Sequence, residues 1–385
     1  MNRKETIITL FISILCLLAA FSAGYIYHGT QHPPELELPI LAEARRILLE
    51  NAYYDPPPNP ALEYGMIHGM VHAYDDPYTL FVEPPQHELE TARLEGHFGG
   101  IGVRLGRDSE NFIVFFPYPD SPALEAGIQE GDRLISLDDD LISQETNLEH
   151  VQSILYGPEG KKVKVVIQRP PEYATFEYSI QRKDIPLPSV TWHLSELEPR
   201  LGVVEINLIA ASTPDEIVNA VNDMQSRGAT HFVLDLRGNS GGLLEAGVDV
   251  VRLFLESGEI INQQFRDEEE KVYRVRKTGE LADIPIAIIV DHYTASAAEI
   301  IAGALQSQGR SALIGSPTFG KYSVQLIFDL KDGSSIHITA GRWWIPGLEF
   351  PSEGYGLIPD IGISPDDENP NTAIELVIQT FFSGD

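Results

Sequence analysis

Cysteine is nearly missing from this 385-residue chain: Cys16 stands alone, so no disulfide can close within the chain and no cysteine-based zinc site can be assembled. Basic residues are also scarce. Lys and Arg number 27 against 57 Asp and Glu, a formal net charge of −30 that repels phosphate backbones and argues against nucleic-acid partners. The shortage of base is not a sign of disorder, because 43% of the residues are hydrophobic, too many for a disordered acidic chain. The acid is expected on a solvated surface. At roughly 150 residues per domain the length predicts two or three compact units.

Long apolar runs are lacking everywhere except residues 6–27, which carry no charge and as a helix would span about 33 Å, enough to cross a bilayer. Arg3 and Lys4 precede the run while Glu35 and Glu37 follow it, so the positive-inside rule leaves the N-terminus cytoplasmic and the body outside, periplasmic or extracellular. Residues 1–28 are thus expected to be a retained anchor, with a secreted body if Ala20-Phe21-Ser22 is cleaved. Leu15 before Cys16 is a poor lipoprotein signal.

Residues 29–38 read as a proline-bearing linker and 39–95 as a small helical region, with Leu41, Ala44 and Leu48 at helical spacing and a second helix over 61–74. His68 and His72 stand i,i+4 on that helix, but no third ligand accompanies them and no metal is expected. Residues 96–184 turn to short alternating strands (101–105, 112–116, 133–137, 163–168), with a Ser121-capped turn and a helix over 148–155. From 185 to 385 strands and helices alternate: strands at 201–206, 231–236, 286–290 and 311–314, helices at 242–255 and 297–306. Thr213-Pro214-Asp215-Glu216 supplies an N-cap and a capping-box Glu for a helix with Ile217, Ala220, Val221 and Met224 on its apolar face. The fold class expected is a mixed α/β domain with a central sheet and flanking helices, a β-rich module inserted before it, a small helical region and one N-terminal transmembrane helix.

Chemistry in such a domain gathers where strands end and helices begin. Asp235-Leu236-Arg237-Gly238-Asn239-Ser240-Gly241-Gly242 is one junction, and its glycines allow amides to converge on a developing oxyanion or simply close a tight turn. Ser296, flanked by Ala295 and Ala297, is either an unhindered nucleophile or a plain N-cap. A serine nucleophile needs a base. His292 lies on the same short turn, where base and nucleophile seldom face each other. Lys321 begins an alternating stretch that puts Lys321, Ser323 and Gln325 on one strand face and Val324 on the other. Desolvation would make that lysine a base with Gln325 orienting it, whereas solvation would leave it a surface charge.

Taken together, Asp235-Leu236-Arg237 with Gly241-Gly242, Thr294-Ala295-Ser296-Ala297-Ala298-Glu299, and Thr318-Phe319-Gly320-Lys321 with Gln325 resemble the C-terminal processing peptidase (tail-specific protease) family of Ser/Lys serine proteases. Ser296 precedes Lys321 by 25 residues and Gln325 follows by four, the family's spacing. Asp75-Asp76-Pro77-Tyr78 is similar to the mark that ends the family's N-terminal helical region. Gly99-Gly100-Ile101-Gly102 with Ser121-Pro122-Ala123 is similar to its PDZ domain, and residues 354–364 to its C-terminal signature. Ala298, Tyr322 and Ser307 depart from frequent family residues and put only a third acidic residue in doubt.

The resemblance implies Ser296 as nucleophile, Lys321 as base, Gln325 as its orienting amide, and oxyanion donors from Ala297 and from Gly241 or Gly242. No cofactor or metal is implied. In the PDZ module, the N–H groups of Gly99, Gly100, Ile101 and Gly102 can converge on a carboxylate while the next strand pairs with an extended peptide. The expected partners are proteins with apolar C-termini, and the membrane through the N-terminal helix. Self-association is left open. The alternative is a catalytically silent PDZ receptor for the same tails, with a metallohydrolase more distant still.

Overall fold

In the computed structural model, residues 38–57, 60–138, 140–348, 353–364, 367, 369 and 371–382 are described. The expected membrane span at 6–27 lies outside them. Among the described residues no helix is long and apolar enough to cross a membrane. The chain divides into two units, Met1–Met66 and Ile67–Asp385. In the first, the helix Pro39–Asn51 starts on a proline at its first turn and buries none of its residues. The helix Ala61–His72 carries the division within it and stops two residues short of the predicted end.

The second unit holds a six-stranded sheet in the order Val190–Leu194, Leu201–Ile206, His231–Asp235, Ile286–Val290, Leu313–Gly315, Ile361–Gly362. Its first pair is antiparallel and the others parallel. Period-two alternation divides the side chains cleanly. Val204, Phe232, Leu234, Ile286, Ile288 and Val290 pack with the helices Thr213–Ser226, Leu244–Phe254 and Ala297–Ser307. Val203, Val233, Ala287 and Ile289 face the helix Thr372–Phe382 on the opposite side. Helices thus flank both faces of a central sheet, as the alternation predicted. Because the strands are parallel, their carboxyl ends and the helix starts lie along one edge of the sheet, where the expected site residues fall.

The capping box expected at Thr213 and Glu216 does not form. Thr213 Oγ1 instead accepts from Ala210 N at 2.8 Å and lies 2.7 Å from Ser189 Oγ, while Glu216 Oε2 accepts from Ser189 N and Val190 N at 2.8 and 2.9 Å. Tying the edge strand took precedence over capping the helix.

A second sheet of five strands packs beside this core. In it the ribbon Ser323–Asp329 and Ser335–Trp344 joins Leu80–Val82, Glu259–Phe265 and Lys271–Arg274. The region read as purely helical thus donates a strand, Leu80–Val82, to this sheet. Residues 103–181 form the β-rich module, whose antiparallel sheet runs Val103–Arg107, Ile113–Pro117, Arg133–Leu137, Lys162–Arg169, Ala174–Gln181, with the short strand Asp140–Leu141 pairing at the side. Ile113, Phe115, Leu134, Val151, Val163 and Val165 form its own core. Its first strand begins two residues later than expected, because Gly102 turns at φ +72°. The helix Leu148–Leu155 and the Ser121 cap, whose Oγ accepts from Leu124 N at 3.2 Å, fall where they were read.

Candidate active site

The buried strand Ile286–Val290 runs into a tight turn before the helix Ala297–Ser307. Asp291 Oδ1 holds that turn by accepting from Tyr293 N and Thr294 N, each at 3.0 Å. Thr294 Oγ1 donates to Leu236 O at 2.9 Å, and Ala295 N to Asn239 O at 3.0 Å, so the serine turn and the glycine-rich turn are stitched together. At the junction Ser296 adopts φ +53°, ψ −119°, a backbone region that non-glycine residues rarely occupy and that stores strain where an outlying side chain must be presented. Gly241, at φ +107°, comes so near that a Cβ there would stand 2.8 Å from Ser296 Cβ and 2.9 Å from Ala295 O, so only glycine fits.

Of the three expected oxyanion donors, Gly241 N is committed to Asn239 Oδ1 at 2.9 Å. The N–H groups of Gly242 and Ala297 donate to no protein acceptor among the described residues. Ala297 opens its helix, where the free N–H groups and the dipole favour negative charge.

Glu299 is fully buried beside the turn. Its Oε2 accepts from Ser296 N and Lys321 N, both at 2.9 Å, and its Oε1 from Thr318 Oγ1 at 2.6 Å and Gly320 N at 2.7 Å. Burial pushes this carboxyl above the usual glutamate range, and the four donors resist that push.

Lys321 precedes the strand Ser323–Asp329. Its Nζ donates to Gln325 Oε1 at 2.8 Å and lies 4.8 Å from the centre of the Tyr78 ring. Gln325 Nε2 in turn donates to Tyr78 O. Burial holds the ammonium below the ordinary lysine range, with Glu353 and Asp76 pulling the other way. Lys321 and Ser296 open on one cavity of about 410 Å³, but no hydrogen bond joins them among the described residues. Ser323 and Gln325 line the same cavity as expected. Val324 lines it too, against expectation, because the register shifts between Val324 and Gln325.

His292 is exposed, stacks on Tyr293 with ring centres 3.7 Å apart, and lines a different cavity with Arg237 and Asp291. Among the described residues no group of three or more His, Cys, Asp or Glu is placed to hold a metal ion.

In the β-rich module Gly99 and Gly100 belong to the strand His97–Gly100, antiparallel to Lys183–Pro186. Gly99 packs against the backbone, since a Cβ there would sit 2.2 Å from Gly157 O. Ile101 is buried in the module's core and its carbonyl accepts from Ala123 N at 2.9 Å, while the Gly102 carbonyl accepts from Tyr118 N at 3.0 Å. The following strand, Val103–Arg107, pairs only with Ile113–Pro117 among the described residues, which leaves its outer edge open to an added strand.

Tyr78 and Glu299 are the two contributors that the sequence did not assign. Both stand inside quoted motifs, but the Tyr78–Gln325 bond spans 247 residues, and three of the four Glu299 partners belong to the separate turn at Thr318, Gly320 and Lys321.

Residues 200–363 match the family model Peptidase family S41, and residues 117–169 match a PDZ domain model. The chain is 32% identical over 310 residues to the carboxyl-terminal-processing protease of Picosynechococcus, spanning 77% of this chain and 72% of that protein. It is 30% identical over 325 residues to the carboxy-terminal processing protease CtpA of Bacillus subtilis, spanning 82% and 68%. A solved photosystem II D1 C-terminal processing protease aligns with 84% of this chain and 87% of its own, at 27% identity and a TM-score of 0.46.

Proposed function

The chain belongs to peptidase family S41 and is a serine-type peptidase, and on that premise we propose that Ser296 is its nucleophile and Lys321 its general base. Ser296 Oγ attacks the scissile carbonyl carbon while Lys321 Nζ takes the hydroxyl proton. Ala297 N–H and Gly242 N–H receive the oxyanion. As the tetrahedral intermediate collapses, Lys321 passes its proton to the departing amine and leaves an acyl-serine. Water then hydrolyses that ester, with Lys321 again taking and returning a proton. Gln325 Oε1 accepts from the Lys321 amine, and between turnovers Nζ rests there rather than on Ser296.

Substrate choice follows from the PDZ module, which would hold an apolar C-terminus at the segment Gly99-Gly100-Ile101-Gly102, where the strand His97–Gly100 ends, and at the open edge of Val103–Arg107. The relatives' names as carboxyl-terminal processing proteases support this reading. The apolar run at 6–27 supports an anchored body on the extracytoplasmic side, secreted if that run is cleaved. The observation that carries the mechanism is the pairing of a strained Ser296 backbone with a desolvated Lys321 on one cavity. A silent receptor would have no use for either.

The test is cleavage of an unfolded protein with an apolar tail. Ser296→Ala, Lys321→Ala and Lys321→Arg should each lose nearly all activity, because arginine stays protonated, while His292→Ala keeps it. An active Lys321→Arg enzyme would remove lysine from the role of base.

A further inference from the structure

Lys321 rests on the face of an aromatic ring that arrives from a remote part of the chain. Asp76 Oδ1 accepts from Tyr78 N at 3.2 Å and Asp76 Oδ2 from Thr79 Oγ1 at 2.5 Å, which curls the segment into a tight clip. Thr79 Oγ1 also accepts from Thr339 N at 3.2 Å, pinning the clip to the strand Ser335–Trp344. Two parts of one residue then meet the catalytic pair. The Tyr78 carbonyl accepts from Gln325 Nε2, which turns the amide so that Oε1 faces Lys321. The Tyr78 ring places its electron-rich face 4.8 Å from Lys321 Nζ.

We propose that Tyr78 is a positioning residue for the base, its ring and its carbonyl together fixing where Lys321 Nζ rests and how firmly it keeps its proton. This rests on the reading of Lys321 as general base. The ring is not the only neighbour with charge to offer. Asp76 and Glu353 attract the ammonium, His337 stands on the strand Ser335–Trp344, and Glu90 and Arg93 reach the same cavity from the helix Pro84–Glu95. Glu353 also meets the Tyr78 hydroxyl, so losing that hydroxyl disturbs it, and the ring's own effect is the difference between hydroxyl-free variants with and without the ring face. A negative ring face favours the ammonium, and a saturated apolar group of similar size keeps the site dry without offering that attraction. Removing the face should therefore release the proton at lower pH.

The experiment measures the rate at which a fluorophosphonate phosphonylates Ser296 with loss of fluoride, across pH, for the full chain and its variants. Tyr78→Phe keeps the ring face without the hydroxyl that meets Glu353 and is the reference for the ring's effect. Tyr78→Leu should move the inflexion about half a pH unit below that of Tyr78→Phe and slow the alkaline plateau roughly tenfold, as Nζ loses its seat. Pentafluorophenylalanine at position 78 keeps the volume and reverses the face charge, so it should move the inflexion down as well, even if Tyr78→Leu fails to fold. Profiles of the leucine and fluorinated variants that superimpose on that of Tyr78→Phe overturn the proposal. Lys321→Ala separates the two readings: fast labelling by that variant sinks the lysine base itself, whereas slow labelling with unmoved Tyr78 profiles sinks only the role of Tyr78.

Discussion

Ser296 and Lys321 are joined through a single atom: the N–H of each donates at 2.9 Å to Glu299 Oε2. The link runs through backbone N–H groups, so it fixes where the two side chains start rather than where they end. Ser296 and Lys321 come from different turns, and the buried carboxylate holds those turns in one frame.

Replacing that carboxylate by an isosteric amide tests the frame. Each oxygen of Glu299 serves two donors, so the NH2 of Glu299→Gln leaves two backbone N–H groups without their acceptor in the Oε2 position, and Gly320 N without its acceptor in the Oε1 position, where the Thr318 hydroxyl can turn to accept. We expect roughly 1–3 kcal/mol of lost stability and a fall in kcat/KM of about a hundredfold. Parent-like kcat/KM in a folded Glu299→Gln enzyme would show that the shared acceptor is dispensable.

Gly241→Ala places a methyl group 2.8 Å from Ser296 Cβ and asks alanine to hold φ +107°. The backbone alone should cost about 1–2 kcal/mol, and displacement of the serine should lower kcat/KM about a hundredfold while the protein stays folded. Calorimetry and steady-state kinetics on the same sample check both halves. Full activity would mean the turn yields without moving the nucleophile.

The buried ammonium of Lys321 makes stability depend on pH in a defined direction. Burial holds its folded pKa below the ordinary lysine value, so between the two the unfolded chain binds more protons and the parent grows more stable as pH rises. Methionine does not titrate. Whatever constant offset Lys321→Met brings, its stability relative to the parent should decline as pH rises towards the ordinary lysine range at about 10.4, read from urea midpoints. A relative stability that holds steady or increases over that range would contradict a desolvated lysine.

Tail recognition can be separated from cutting by amidating the substrate's C-terminus. Loss of a charge-assisted hydrogen bond is worth about 1.5–3 kcal/mol, so cleavage should slow by about ten- to a hundredfold. Equal rates on free and amidated tails would leave the chemistry at Ser296 intact and end the carboxylate reading of the Gly99-Gly100-Ile101-Gly102 segment.

What the sequence disclosed followed the range over which each signal acts. Strands such as Ile286–Val290 and helices such as Leu148–Leu155 were legible because alternation and helical spacing are local. Ser296, Lys321 and Gln325 were singled out by residue type and spacing, and the structure brings all three to one cavity. Glu216 was misread, since a capping box is a local pattern while its actual partners, Ser189 N and Val190 N, lie on a neighbouring strand. The strand Leu80–Val82 was missed because three residues are too few to show a period. The engagement of Gly241 N by Asn239, which leaves Gly242 as the glycine with an uncommitted N–H, depends on turn geometry that residue types do not encode.

The β-rich module enters and leaves the chain through one ribbon, in which His97–Gly100 lies antiparallel to Lys183–Pro186 and His97 faces Pro186. Its two ends are therefore neighbours, about 5 Å apart as in any antiparallel pair. No strand of either remaining sheet falls between residues 97 and 186, and none of the hydrogen bonds around Ser296 reaches into that interval. The whole module can therefore be excised and another spliced into the ribbon without cutting a strand of either peptidase sheet, and the surface a substitute must still match is the helix Pro84–Glu95, against which Leu148–Leu155 packs.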